Sequence, residues 1–142
     1  MIGYGNPLRE DDGVGWAAVE LLEQAPPDER VRAHACHQLT PELAEPVSAA
    51  GTVLFIDARA GGVAGQVEIR EVEPDAGTPP GLTHALSPGA LLALARELYG
   101  ACPPARLATV VGGSFGYGEA LSPAVRAALP ELVAQIRALR WP

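Results

Sequence analysis

Apolar positions along the chain follow two patterns that alternate several times. From residue 13 they recur at the three- and four-residue spacing of a helix, and this pattern stops before Pro26 and Pro27. Continuous or alternating apolar runs predict strands over 1–5, 30–38, 51–58, 65–73 and 106–113. Three further helices are expected to begin at Thr40-Pro41, Ser87-Pro88 and Ser122-Pro123, because a hydroxyl residue before proline is a typical helix start.

This alternation predicts an α/β fold, a three-layer α/β/α sandwich around a twisted, mostly parallel (mixed) sheet of about five strands. Segment 65–73 alternates apolar with charged side chains, which is typical of a more exposed edge strand. Pro46 falls inside the second predicted helix and must shorten or kink it. The whole chain, residues 1–142, is expected to form a single domain.

Composition and charge exclude several classes of function. A formal net charge of −7 argues against binding to nucleic acid or to an anionic membrane surface. All ten cationic side chains are arginine, so the chain has no lysine for Schiff-base chemistry or for a Walker-type phosphate site. The sequence shows neither a signal peptide nor an apolar run near the roughly 20 residues that span a bilayer, which predicts a cytoplasmic protein. Cys36 and Cys102 are expected to be free thiols in that compartment.

Three titratable residues lie where loops are expected to meet one edge of the sheet. Asp12 begins a helix after the first strand, Asp57 ends the most apolar strand, and His84 precedes the third predicted helix. Two carboxylates and an imidazole form a mixed ligand set that suits a catalytic divalent ion. Each residue also has a simpler role open to it: a helix-terminal charge for Asp12, a loop contact for Asp57 and a solvated position for His84.

Two other motifs contain residues that could be catalytic or bind a metal, but their sequence signals are weaker. The stretch GGSFG, 112–116, matches a nucleophile elbow, but no histidine follows Ser114 in the chain. We therefore expect Ser114 in a flexible glycine turn, and a serine hydrolase remains the weaker alternative. In HACH, 34–37, strand alternation places His34 and Cys36 on one face and His37 on the other, so the three do not converge on one ion.

The stretch GYGNPLREDDGVG resembles the opening of the nickel–iron hydrogenase maturation proteases. The likeness continues through HQLTPELAEP, VLFIDA, THALSPGALLALA and GEALSPAV, in the order and spacing of that family, and covers nearly the whole chain. The resemblance implies an α/β/α sandwich and a cytoplasmic, monomeric endopeptidase. Such enzymes remove a short C-terminal peptide from the hydrogenase large-subunit precursor after nickel has been inserted.

The resemblance also implies which residues act. The family's three metal ligands fall on Asp12, Asp57 and His84, which would engage the nickel that the precursor carries. That nickel would polarise the scissile carbonyl or activate a water. Gly5, Asn6, Asp11 and Gly13 would form the loop that supports these ligands, with Asp11 either beside the ligands or serving only as a helix-terminal charge.

The chain departs from the family at two places. Glu10 stands where the family usually has glycine, and the first strand is shorter than usual. A non-cleaving checkpoint protein, which inspects the nickel site of the precursor on the same scaffold, is the rival interpretation. Retention of all three candidate ligands does not separate it from a protease, because binding nickel requires them too.

Overall fold

A computed structural model describes residues 1–76 and 85–140 of the chain. Five strands and four helices alternate in these residues. The strands are β1 (Ile2–Tyr4), β2 (His34–Cys36), β3 (Val53–Arg59), β4 (Val67–Val72) and β5 (Ala105–Val111). The helices are α1 (Val14–Gln24), α2 (Ala44–Ala49), α3 (Pro88–Tyr99) and α4 (Pro123–Ala138), with short 3₁₀ turns at Glu10–Gly13 and Pro41–Leu43. The predicted alternation is confirmed, although β2 is much shorter than segment 30–38.

The strands form one sheet in the order β2-β1-β3-β5-β4. β1, β2, β3 and β5 run parallel, and β4 pairs antiparallel with β5 at one edge. The mostly parallel sheet and the edge position of β4 agree with the predictions. The carboxyl ends of β1, β3 and β5 therefore lie side by side along one boundary of the sheet, at the ends of the strands. Ligands of such folds bind at this carboxyl edge.

Two hydrophobic cores cover the two faces of the sheet, which completes the predicted three layers. On one face α2 and α3 pack over the strands, and the fully buried Phe55 and Leu91 belong to this core. On the other face α1 and α4 pack over the alternate strand residues, with Ile56, Leu22 and Leu132 fully buried. The residues of β3 thus alternate between the two cores, which explains why its apolar run is nearly continuous.

The three hydroxyl-proline helix starts have different local structures. The Ser87 hydroxyl accepts a hydrogen bond from the Ala90 N–H, as a capping residue does. Thr40 precedes a 3₁₀ turn and makes no capping bond, while the short α2 accommodates Pro46 in its first turn. The Ser122 hydroxyl also makes no capping bond, because it is engaged elsewhere. Proline at the first helical position is thus the feature that the three share.

Both cysteines are free, as predicted, and both are partly buried. Burial raises the pKa of the Cys36 thiol. Within 1–76 and 85–140, no helix is long and apolar enough to cross a membrane.

Candidate active site

The loop after β1 places Asp12 at the carboxyl edge of the sheet. Gly5 has a φ of 139°, and a Cβ at this position would collide with the backbone carbonyl oxygen of Asp12. This turn lets the Asn6 N–H donate to Asp12 Oδ2 at 2.7 Å. The Trp16 indole N–H donates to the Gly5 carbonyl at 2.9 Å, which ties the turn to α1. Gly5 and Asn6 thus fix the orientation of the Asp12 carboxylate.

Asp57 lies near the end of β3, where it shares a cross-strand row with Thr109 of β5. The Ala58 N–H donates to Asp57 Oδ1 at 2.7 Å, and the Tyr4 hydroxyl donates to the same carboxylate. Burial raises the pKa of Asp57 to about 6, and the negative charge of Asp12 adds to this rise. The hydrogen bonds from Tyr4 and Ala58 oppose the rise in pKa without cancelling it.

A close approach between α1 and the sheet brings these two acids together. A Cβ on Gly15 would lie 2.7 Å from the Ile56 carbonyl oxygen and 2.8 Å from the Tyr4 nitrogen, so only glycine allows this contact. The turn that carries Asp12 is thereby held beside the strand that carries Asp57. Two carboxylates in a partly buried position repel each other, and a cation bound between them removes this repulsion.

The third predicted ligand, His84, lies outside the described residues. Within 1–76 and 85–140, no group of three or more histidine, cysteine or acidic side chains is arranged to hold a metal ion. The described part of the site therefore consists of the carboxylate pair, which fits two positions of the predicted oxygen and nitrogen ligand set.

Asp11 points away from Asp12 and into the loop that follows β5. Its carboxylate is completely buried and accepts hydrogen bonds from the backbone N–H groups of Gly113, Ser114 and Ser122, at 2.7, 2.9 and 2.7 Å. The Ser122 hydroxyl donates a further bond of 2.7 Å. Burial by itself raises the pKa of Asp11, but these hydrogen bonds outweigh it and hold the pKa below its usual value.

Glu10 and Arg9 extend this contact along the same loop. The Glu10 carboxylate accepts hydrogen bonds from the Ser114 hydroxyl and from the Gly116 N–H. The Arg9 guanidinium donates to the carbonyl of Phe115 at 2.8 Å and lies 4.9 Å from the centre of the Tyr117 ring. We call residues 9–11 the clamp and residues 113–122 the clamped loop. The loop expected to be flexible is thus held by three consecutive charged side chains.

Glu10 is the one described non-glycine residue with positive φ, at 52°. This left-handed conformation is unfavourable for a residue with a Cβ. It turns the chain so that the Glu10 N–H donates to the Gly118 carbonyl at 2.8 Å. Glu10, which stands where the family usually has glycine, therefore anchors the clamp.

Ser114 does not have the surroundings of a catalytic serine. Its hydroxyl donates to the Glu10 carboxylate, and its backbone N–H is bound by Asp11 together with that of Gly113. In a nucleophile elbow the serine hydroxyl donates to a base, usually histidine. The Ser114 hydroxyl is instead engaged within the clamp, which accounts for the glycine-rich motif without a hydrolase.

The clamp was not predicted from the sequence, although two signals pointed toward it. Residues 114–118 include Gly116 and Gly118 and lie outside any predicted helix or strand, so their backbone N–H groups need partners from elsewhere. Arg9, Glu10 and Asp11 are consecutive charges in a loop, and only Asp11 had been assigned a supporting role. What could not be foreseen was that residues about a hundred positions apart pair with each other.

Comparison with solved structures places this architecture among known folds. The chain is similar to the NiFe hydrogenase maturation protease HycI from Thermococcus kodakarensis, with a TM-score of 0.75 and 24% identity over 96% of this chain and 87% of that one. It is similar to the hydrogenase maturating endopeptidase HybD from E. coli, with a TM-score of 0.67 and 25% identity over 95% of this chain and 86% of that one. A hydrogenase 2 maturation peptidase from a Thaumarchaeota archaeon has a TM-score of 0.70 and 22% identity, over 95% and 92% of the two chains.

No protein-family model matches the sequence, and no curated protein matches it either. Fold and site together define an α/β/α domain with a carboxylate pair at the carboxyl edge of its central strands. That fold is the fold of the hydrogenase maturation proteases, over nearly the full length of the chain. The resemblance found in the sequence is thereby confirmed.

Proposed function

We propose that this protein is an endopeptidase that removes the C-terminal peptide of a nickel-loaded hydrogenase large-subunit precursor. The observation that carries this proposal is the pairing of Asp12 with Asp57 on this fold. Structures that share the fold are named as hydrogenase maturation proteases or endopeptidases, which supports a processing role. The resemblance of the sequence to the nickel–iron hydrogenase maturation proteases supports two more specific points: the dependence on nickel and the hydrogenase precursor as the substrate.

In this mechanism the protein's side chains bind and orient the nickel site of the precursor. The Asn6 N–H orients the carboxylate of Asp12 and the Ala58 N–H orients that of Asp57, and the charge of Asp12 acts on Asp57. His84 would complete the set. The precursor's nickel supplies Lewis-acid chemistry at the scissile peptide. Hydrogen-bonded carboxylates keep their orientation, and this fixes where the scissile peptide lies.

The raised pKa of Asp57 has a consequence for this binding. A metal ligand must be deprotonated, so binding at pH values near 6 releases a proton from Asp57. Burial makes the ionised pair unfavourable on its own, and a cation between the carboxylates reverses that preference. The raised pKa of Asp57 supports the proposal that the carboxylate pair binds a cation, which the precursor would supply.

The proposal is tested by incubating the protein with nickel-loaded and nickel-free precursor and measuring intact masses. We expect loss of a C-terminal peptide from the loaded form only. Asp12→Asn, Asp57→Asn and His84→Ala should each reduce the cleavage rate by about 100-fold or more, because each removes a ligand. Asp28→Asn is a matched control, since Asp28 pairs with Arg30 in a surface loop.

The same experiment separates the protease from the checkpoint protein. Binding of nickel-loaded precursor without any change in mass would contradict the protease and support the checkpoint function. Cleavage that survives Asp12→Asn but is abolished by Ser114→Ala would overturn the ligand assignment.

A further inference from the structure

β2 is one edge of the sheet among the strands that the structure describes. Its register pairs Gly3 with Ala35, and the His34 N–H and Cys36 carbonyl bond toward β1. Because neighbouring residues of a strand bond to opposite sides, the N–H and carbonyl of Ala35 face away from β1. Such an open edge can accept one more strand, which is a common way for a protein to bind an extended peptide.

A groove of about 470 Å³ lies between this strand and α1. Its walls include His34 and Ala35 on one side and Trp16, Glu20 and Glu23 on the other. We call it the edge groove. Its volume is large enough to hold side chains from an added strand, and such contacts give this kind of binding its sequence preference.

The edge groove leads to the candidate active site. Pro7 and Gly13 line it, and Gly13 directly follows Asp12. The Trp16 indole, which lines the groove, is bonded to the Gly5 carbonyl in the turn that orients Asp12. A peptide lying along β2 is therefore directed toward the carboxylate pair.

The charge of the edge groove selects the occupant. Glu20, Glu23 and Glu119 line the groove, and His34 is its one basic side chain among the described residues. An extended segment that carries arginine or lysine would complement these carboxylates.

The opposite edge of the sheet has the features that prevent strand addition. β4 carries Glu68, Arg70 and Glu71 within six residues, and Glu68 is 3.5 Å from Arg59. Charged side chains on an edge strand discourage pairing with another chain. β2 has no carboxylate and no arginine in its sequence HAC. The two edges therefore differ in the property that decides whether a peptide can dock.

We propose that the edge groove binds an extended, basic segment of the precursor by strand addition to β2. The inference rests on the proposed function, because it takes the precursor as the occupant. It assigns Ala35 the backbone contacts and Glu20 and Glu23 the contacts to basic side chains.

Ala35→Pro tests the backbone contact directly. Proline removes the outward N–H and fills its place, while the bonds of His34 and Cys36 to β1 remain. We expect the KM for nickel-loaded precursor to rise on the order of tenfold with kcat within about twofold. Thermal unfolding and circular dichroism check the fold. An unchanged KM in a folded, active variant would overturn the proposal.

A charge variant keeps the test decisive if Ala35→Pro fails to fold. The double variant Glu20→Gln, Glu23→Gln leaves the backbone intact and should raise KM several-fold at low salt. Its KM should also lose most of its dependence on salt, because screening acts on charge pairs. Glu97→Gln is the control, since Glu97 lies on α3 across the sheet. A double variant whose KM and salt dependence match those of the wild type would contradict the proposal.

Amide hydrogen exchange separates failure of this inference from failure of the proposed function. Precursor binding should protect the Ala35 N–H whether or not cleavage follows. Protection of Ala35 without cleavage would leave the docking proposal standing and overturn the protease. Cleavage without protection of Ala35 would support the protease and overturn the docking proposal. A concentration-dependent dimer that Ala35→Pro dissolves would assign the edge to a second copy of the chain and overturn the choice of occupant.

Discussion

The carboxylate of Asp11 is bonded to both the backbone N–H and the hydroxyl of Ser122, each at 2.7 Å, across 111 positions of sequence. Asp12, its neighbour, bonds instead to Asn6 and lies beside Asp57. The two adjacent acids thus have separate tasks: one holds the clamped loop, and the other belongs to the candidate catalytic pair.

Asp11→Asn should therefore destabilise the protein strongly. The asparagine amide would direct N–H groups at backbone donors that lose their acceptor, so we expect a loss of about 3 kcal/mol in the free energy of unfolding. Urea denaturation measures it. Asp28→Asn, which breaks an exposed pair within one loop, should leave the same quantity nearly unchanged. Equal effects of the two substitutions would contradict the clamp.

Asp57 should make the metal-free protein less stable as the pH rises from about 4 to 6. Its pKa is about 6 in the folded state against 3.8 for the unpaired carboxyl, so the folded protein binds more protons over that interval. The free energy of unfolding falls by on the order of 2–3 kcal/mol. The decrease is complete just above pH 6 and absent below pH 4.

Asp57→Asn should abolish this loss and be more stable than the wild type at pH 7. Urea unfolding with a chelator present, at several pH values, compares the two proteins. Wild-type and variant curves that run parallel between pH 4 and 6 would show that Asp57 does not titrate as described.

Glu10→Gly should be more stable than Glu10→Ala by about 1 kcal/mol. Both substitutions remove the contacts to Ser114 and Gly116, but only glycine adopts a φ of 52° without strain. The free energies of unfolding of the two variants give the difference. At Glu45, in the first turn of α2, the order should reverse, because alanine favours a helix. Glycine less stable than alanine at both positions would contradict the backbone assignment.

Ser114→Ala should leave the cleavage rate within about twofold of the wild type once the variant is folded. The hydroxyl bonds to Glu10 rather than to a base, so its loss costs stability of about 1 kcal/mol and no chemistry. Rates are compared on nickel-loaded precursor by mass spectrometry. Complete loss of cleavage in a folded Ser114→Ala protein would support a serine hydrolase instead.

The fold could be predicted because its signals are local. Proline at residues 41, 88 and 123 marks helix starts, and the apolar run ending at Asp57 marks a strand covered on both faces. The positions of Asp12 and Asp57 follow from the same pattern, since parallel strands gather their carboxyl ends at one edge. His84 stays a prediction from the sequence.

The contacts that complete the site could not be predicted in this way. Ser122 marks the start of α4 as predicted, but its hydroxyl donates to a buried carboxylate rather than to the helix. Nothing near residue 122 indicates a partner at residue 11, because the pairing depends on β1 and β5 lying in one sheet. Long-range hydrogen bonds of this kind are set by topology rather than by local spacing.

The clamp also determines when during synthesis the site can exist. Ser122 must be synthesised before Asp11 can be fully bonded. Contacts of such high sequence separation form late, after the loop between them has closed. A chain still emerging from the ribosome therefore carries Asp12 without its finished surroundings. The loop that carries Asp12 therefore reaches its final structure only after β5 and the clamped loop have been synthesised.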